Sequence, residues 1–261
     1  MADKIKRLRI GVAAAGLGFA FLAPTAMADE ADADRLLKAM SDYLAATTEF
    51  SFDYDATLDV VSVEDQIISF ASSGEVALAR PDKFHATRVG GFTNIVMNYD
   101  GSNFSVLGKD AGVYTQLPIS GSIDQLVDTL RESYGQPLPA ADLLTTDTYA
   151  ALMGNVTDVK DFGSGVFAGQ ECDHLGLRTD EVDLQIWIAQ GDQPYPCRYV
   201  ITTRGEKQGL QYSLNIRDWR TGETLADDAF TFMAPDGATE VSIEDYKEQV
   251  SELPDFIRMG E

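Results

Sequence analysis

The chain is poor in the residues that most often carry chemistry. It has two histidines, His85 and His174, and two cysteines, Cys172 and Cys197, in 261 residues. A serine or cysteine nucleophile would need one of those histidines as its base. No G-x-S-x-G elbow accompanies them, and no S-x-x-K with its partner motifs. Cys172, His174 and Cys197 fall one ligand short of a zinc site, so no metal and no cofactor is expected. Base is scarce as well, with 20 Lys and Arg against 42 Asp and Glu. Phosphate backbones and anionic headgroups repel such a chain, which excludes nucleic acid as a partner and disfavours adsorption to a membrane surface. Two carboxylates suffice for glycoside hydrolysis, and a chain this acidic leaves that open without promoting it.

Long apolar runs are missing too, with one exception. Ile10 to Ala23 is uncharged and follows Lys4, Lys6, Arg7 and Arg9, but it is shorter than the ~20 residues a bilayer span needs. Ala26-Met27-Ala28 places small residues before a cut at Asp29, the pattern of a secretory signal peptide in residues 1–28. The residue after the cut is not cysteine, which argues against a lipid anchor. Residues 29–261 then form a single domain that is periplasmic, carries no membrane segment and is expected as a monomer. Removing the leader takes away four bases and one acid, leaving 16 bases, 41 acids and a net charge of −25.

Periodicity supplies the architecture. Leu36, Leu37, Met40, Tyr43 and Leu44 recur at helical spacing behind Asp32 or Asp34 as cap. At Glu49 the period becomes two. Phe50, Phe52, Tyr54, Ala56, Leu58 and Val60 alternate with polar residues, several of them acids that point to solvent. Short strands follow near 67–79, 83–89, 93–99, 104–107 and 113–117, with Asp100-Gly101 as a hairpin turn. Ser122-Ile-Asp-Gln125 is a capping box opening a helix lined by Ile123, Leu126, Val127 and Leu130. A turn at 141–144 and a helix at 148–153 capped by Asp147 precede further strands near 156–160, 165–168, 171–178, 183–189, 197–203, 211–219 and 225–231. A short helix near 243–250 ends the pattern, and the tail beyond Leu253 is expected to fray. The fold class is α+β. Ten to twelve strands in one large antiparallel sheet must curl, and the amphipathic helices need its concave face.

Export to an oxidising compartment makes Cys172–Cys197 a disulfide by default. In a plain three-strand meander the two would lie about 10 Å apart at ~4.8 Å per strand step. A disulfide needs Cα atoms within ~7 Å. The bond therefore requires "QGDQPYP" to fold back over the end of the middle strand.

Gly74-Glu-Val-Ala-Leu-Ala-Arg80-Pro81-Asp-Lys-Phe84 resembles the G-x-(apolar)-x-(apolar)-x-R-P-x-x-F hairpin of the LolA-like periplasmic lipoprotein carriers. Ile95–Tyr99 with Asp100-Gly101 stands where that family has its next strand and D-G turn. "FTFMAPDGATEV" looks like its closing strand. The block from Gly169 to Thr203 is similar to an uncharacterised group of predicted periplasmic bacterial proteins near that fold. The resemblance covers about Ala31 to Ile243. It implies an unclosed antiparallel barrel, LolA- or LolB-like, with helices as a lid over an apolar cavity. In the carriers an arginine near the cavity helps to hold the lid; Arg80 matches the R-P hairpin position, where its expected role is structural.

On this reading the protein is not an enzyme. It binds an acyl chain, a lipid or a lipidated partner between sheet and lid. Candidate cavity residues are Phe50, Phe52, Leu78, Phe84, Met97, Tyr99, Phe104, Leu126, Val127, Leu130 and Trp187. The alternatives are an envelope protein-interaction module with a filled core and, third, a hydrolase of unknown type.

Overall fold

Alternation of burial decides which way each strand faces. In β1 (Glu49–Val61) Phe50, Phe52, Tyr54 and Ala56 are buried and the residues between them are not. Strands β2 (Ile67–Ala79), β3 (Lys83–Gly90), β4 (Asn94–Tyr99), β5 (Phe104–Gly108) and β6 (Val113–Leu117) follow as successive antiparallel neighbours. A second meander runs through β7 (Asp158–Phe167), β8 (Gln170–Arg178), β9 (Val182–Ala189), β10 (Pro196–Thr203) and β11 (Gln211–Thr221). It ends with β11 paired antiparallel to β1. A two-residue strand, β12 (Thr239–Glu240), joins β6 in parallel. The twelve strands thus form one sheet in the order β12-β6-β5-β4-β3-β2-β1-β11-β10-β9-β8-β7, with β12 and β7 as its edges. This computed structural model describes residues 30–205, 210–222, 225–251, 253–254 and 257, so the expected signal peptide and the cut expected after Ala28 lie outside the described residues.

Among the described residues, all four α-helices send side chains to one face of the sheet. Ala33, Leu37, Met40 and Leu44 of α1 (Glu30–Ala46) join the same buried cluster as Leu175, Leu177 and Ile186. Four buried residues of α2 (Ile123–Glu132) and Leu152 of α3 (Thr148–Met153) join it too, and Ile243 of α4 (Ile243–Gln249) packs against its margin. The architecture is a single unclosed, mostly antiparallel sheet with helices over one face, as the resemblance of the R-P hairpin implied. The capping box forms as written: Ser122 Oγ accepts from Gln125 N, and Gln125 Oε1 accepts from Ser122 N.

Several local expectations change. Asp32 and Asp34 lie within the first two turns of α1 rather than before it; Asp32 pairs with Arg35, and Asp34 accepts from the Tyr149 hydroxyl. The outward acids of β1 are not merely solvated, since Asp53 and Asp55 meet Arg220 and Arg217 of β11 at 2.8 and 2.7 Å. Both partners are partly exposed, so each pair contributes little. The two strands expected near 156–160 and 165–168 are one strand, β7, bent where Gly163 takes φ +85°.

The strand expected at 225–231 is instead a 3₁₀ turn, Asp227–Phe230. Both sides of β1 are already taken by β2 and β11, so the chain finds no free edge there. It crosses the outer face instead. Leu225 N donates to Glu49, and Asn98 on β4 donates to Ala229 O. Phe230 is buried. The segment then reaches the open edge at β6, where the closing strand of the resemblance shrinks to β12. From there α4 turns back over the inner face. Ile257, in the tail expected to fray, is buried and bridges Ser62 just beyond β1.

Candidate functional site

The inner face is filled at one end and hollow at the other. Along β1 the change falls at Phe52. Phe50 is fully packed, whereas Phe52, Tyr54, Ala56 and Leu58 line a cavity of about 1020 Å³. The same cavity touches Ile201 on β10 and Leu117 on β6. Seven strand steps separate those strands, roughly 34 Å on a flat sheet. Only a curled sheet brings them to one space. Phe92 lines the cavity and is 50% exposed, so the space reaches solvent at the β3–β4 loop.

Five candidate residues line this cavity: Phe52, Phe84, Met97, Phe104 and Leu130. Five others, Phe50, Leu78, Tyr99, Leu126 and Val127, are buried in the solid half of the core. Trp187 belongs to neither group, which corrects the expectation for it. Ile186 and Ile188 point inward, so Trp187 between them points outward. There it stacks on His174 with ring centroids 3.9 Å apart and carries the Arg198 guanidinium 5.4 Å from its centre.

The solid half is tied together by Arg80. Its guanidinium donates to Leu44 O of α1 at 3.3 Å, and to Leu144 O and Thr145 O of the connection between α2 and α3 at 3.0 and 3.2 Å. The same group lies 5.9 Å from the Phe50 ring centre. The structural role expected of the R-P position is therefore a clamp of two covering segments onto the sheet. Trp219 packs against this half as well. A bulge opposite Phe52, with Asp218 at φ +49°, turns Trp219 inward. It stacks on Phe50, Phe52 and Tyr195 at 4.8, 5.7 and 5.2 Å.

Over the hollow half the cover differs from expectation. Leu126 and Val127 of α2 face the solid core, and only Leu130 reaches the cavity. The roof is made by the connection after α2, from Tyr134 to Leu144, and by α4 with Ser251, Leu253, Pro254 and Ile257. Lys247 on α4 donates to Tyr134 O at 2.9 Å, joining the two covers. Gly108 permits the approach, since a Cβ there would lie 2.6 Å from Val250. The helix of α4 was expected, but the Tyr134–Leu144 connection carries no periodic signal of its own, and Pro137, Pro139 and Pro254 read as ordinary linker.

The opening glycine of the hairpin motif also has a physical reason. The Tyr54 hydroxyl donates to Thr87 O at 2.8 Å across the gap that Gly74 leaves. A Cβ at Gly74 would sit 1.9 Å from that oxygen. Arg88 of β3 lines the same part of the cavity, half-buried. Burial raises the Tyr212 hydroxyl to about 12, with Arg88 pulling it the other way.

Residues 33–244 match the family described as predicted periplasmic protein, DUF2092. The chain belongs to that family. No curated protein matches the sequence. Among solved structures, an uncharacterized conserved protein of Thermus thermophilus is similar at 11% identity and a TM-score of 0.49, over 80% of this chain and 98% of that one. Lipoprotein LppX of Mycobacterium tuberculosis is similar at 17% identity and a TM-score of 0.44, over 76% and 99%. A LolA superfamily protein of Nitrosomonas europaea is similar at 12% identity and a TM-score of 0.31, over 77% and 97%.

The chemistry-bearing residues of this DUF2092 chain lie away from the cavity, on the outer face. Cys172 and Cys197 form a disulfide with Cα atoms 7.1 Å apart. A bulge at the start of β10 leaves Cys197 without a partner on β9 and swings it toward Cys172 across Ala189. That is the fold-back the prolines were expected to allow. His174 accepts or donates at Gln185 Oε1, 3.0 Å away, and His85 contacts Asn98 at 3.0 Å. Burial lowers both imidazoles below 6.5. Among the described residues neither is hydrogen-bonded to a serine, threonine or cysteine side chain, and no cluster of three metal ligands occurs.

Proposed function

We propose that this protein is a periplasmic, non-enzymatic binder of an acyl chain, a lipid or a lipidated partner, held in the cavity beneath the Tyr134–Leu144 connection and α4. The observation that carries this reading is the cavity itself: about 1020 Å³ walled by Phe52, Phe84, Phe104, Leu117 and their neighbours. A domain of this size has the chain to fill such a space, as the solid half shows, and interiors close-pack by default. Burial of a chain contributes about 0.8 kcal/mol per methylene before ordering costs. Binding on this basis needs no cofactor. Export by the leader, cut after Ala28, would deliver a monomer to the periplasm.

Native mass spectrometry of protein isolated from the periplasm tests the reading, together with displacement of N-phenyl-1-naphthylamine by long-chain lipids. The expected result is a co-purified lipid mass and a saturable dye signal abolished by competitor. An empty mass spectrum with no saturable dye site would sink it.

A further inference from the structure

The cavity is larger than one acyl chain needs. A void of ~150 Å³ takes a benzene ring, so each carbon of a well-fitted guest occupies roughly 25 Å³. The space of about 1020 Å³ therefore accommodates about forty carbons, and a palmitoyl chain would fill about two fifths of it. Its shape agrees with its volume. Along β1 the lining runs from Phe52 to Leu58, roughly 20 Å at ~3.3 Å per residue. An extended palmitoyl chain spans the same roughly 20 Å, because tetrahedral carbons joined by ~1.5 Å bonds advance roughly 1.25 Å each. One chain thus uses the whole depth, and the surplus volume lies across the strands. Lining residues occur on every strand from β6 through β1 to β10, with Leu117 at one side and Ile201 at the other. A lone chain would leave much of that wall untouched, and an apolar wall without a partner forfeits its dispersion contacts.

We infer that the guest is a two-chain lipid, two acyl chains on one glyceryl unit, with the chains side by side along the strands. This rests on the binding reading above and adds the class of ligand to it. The glyceryl end faces the opening. Leu58 pairs with Phe70, and Phe70 meets the half-exposed Phe92 edge to face at 5.5 Å, so the Leu58 end of the lining is the end near solvent. Phe52, at the other end, borders the solid half, where the chain tips come to rest. Joining the chains matters as well. Two separate fatty acids each lose translational freedom on binding, whereas the second chain of a linked pair enters as an intramolecular step. The same two-chain unit occurs in a free glycerolipid and on the lipidated cysteine of a protein, and the intact mass of the guest tells these sources apart.

The test compares dipalmitoylphosphatidylethanolamine with its one-chain lyso form as displacers of N-phenyl-1-naphthylamine, with stoichiometry read by native mass spectrometry. The head is the same in both, so only the number of chains varies. The two-chain lipid is expected to bind at one per protein and at least about tenfold more tightly than the lyso form. The lyso form is expected to saturate at two per protein, one for each chain's share of the space. Protein isolated from the periplasm is expected to carry a guest with two acyl chains, either a glycerolipid or a lipidated peptide by its intact mass. A lyso form that saturates at one per protein and binds as tightly as the two-chain lipid overturns the two-chain assignment while leaving apolar binding in place. Displacement by neither lipid removes both readings together.

Discussion

Arg80 concentrates more tertiary information than any other side chain here. It serves three carbonyls from two covering segments, so no smaller donor set can replace it. Arg80→Ala leaves Leu44, Leu144 and Thr145 without that donor and is expected to cost about 2–4 kcal/mol. Arg80→Lys, a point charge with no planar fork, recovers only part of this. Urea denaturation of the three proteins measures both. The histidines give a second test. Their folded values lie below 6.5, so the unfolded chain takes up protons first as the pH falls. Stability is then level above pH 6.5 and declines as pH drops below it toward the folded values. His174→Phe keeps a ring on Trp187 and should flatten part of that slope in urea midpoints measured between pH 7.5 and 5.5.

Elements were the most legible level, and the reasons are local. Strands β1, β2 and β6 follow period-two alternation to within a residue of their ends, and α2 starts at its capping box. A β-bulge adds one residue and reverses the facing of everything beyond it. Trp219 and Cys197 each sit at such a step, and the bulge sets the side on which each is found. Asp218 in the left-handed region is the sole residue cue at the first, because aspartate tolerates that geometry better than most. The bulge at Cys197 closes a disulfide between positions 25 apart in sequence. Replacing both cysteines by serine should cost about 3.5 kcal/mol by the loop-closure relation. Thermal unfolding with and without a reductant checks the same quantity in the unaltered protein. The segment after β11 failed for a different reason: strand-like residues need an open edge, and β1 had none to offer.

At the scale of the whole molecule the decisive feature is an uneven interior. Helices α1, α2 and α3 with Arg80 fill one half, and a linker and a C-terminal crossing segment roof the other. A side chain added to the hollow half should therefore be tolerated where one added to the solid half is not. Val106 lines the cavity and is only partly buried. Val106→Trp is expected to cost less than the ~1–3 kcal/mol of overpacking a filled core. It should nevertheless weaken N-phenyl-1-naphthylamine binding by about tenfold, because it occupies the guest's space. Unchanged dye affinity in a folded Val106→Trp protein would show that the dye binds elsewhere.

Composition, period and turn chemistry act through neighbours in the chain, and they determined an acidic α+β protein built on one long antiparallel sheet. They also placed Phe52, Phe84, Met97, Phe104 and Leu130 on a common face. Which half of that face would be filled was decided only when the sheet curled and the chain's last segment rounded the β6 edge. Trp219, Leu126 and Val127 then packed the one half, and Lys247 and Ile257 came to close over the other. Filling depends on contacts between residues more than a hundred positions apart, and no pattern within a single strand or helix records them.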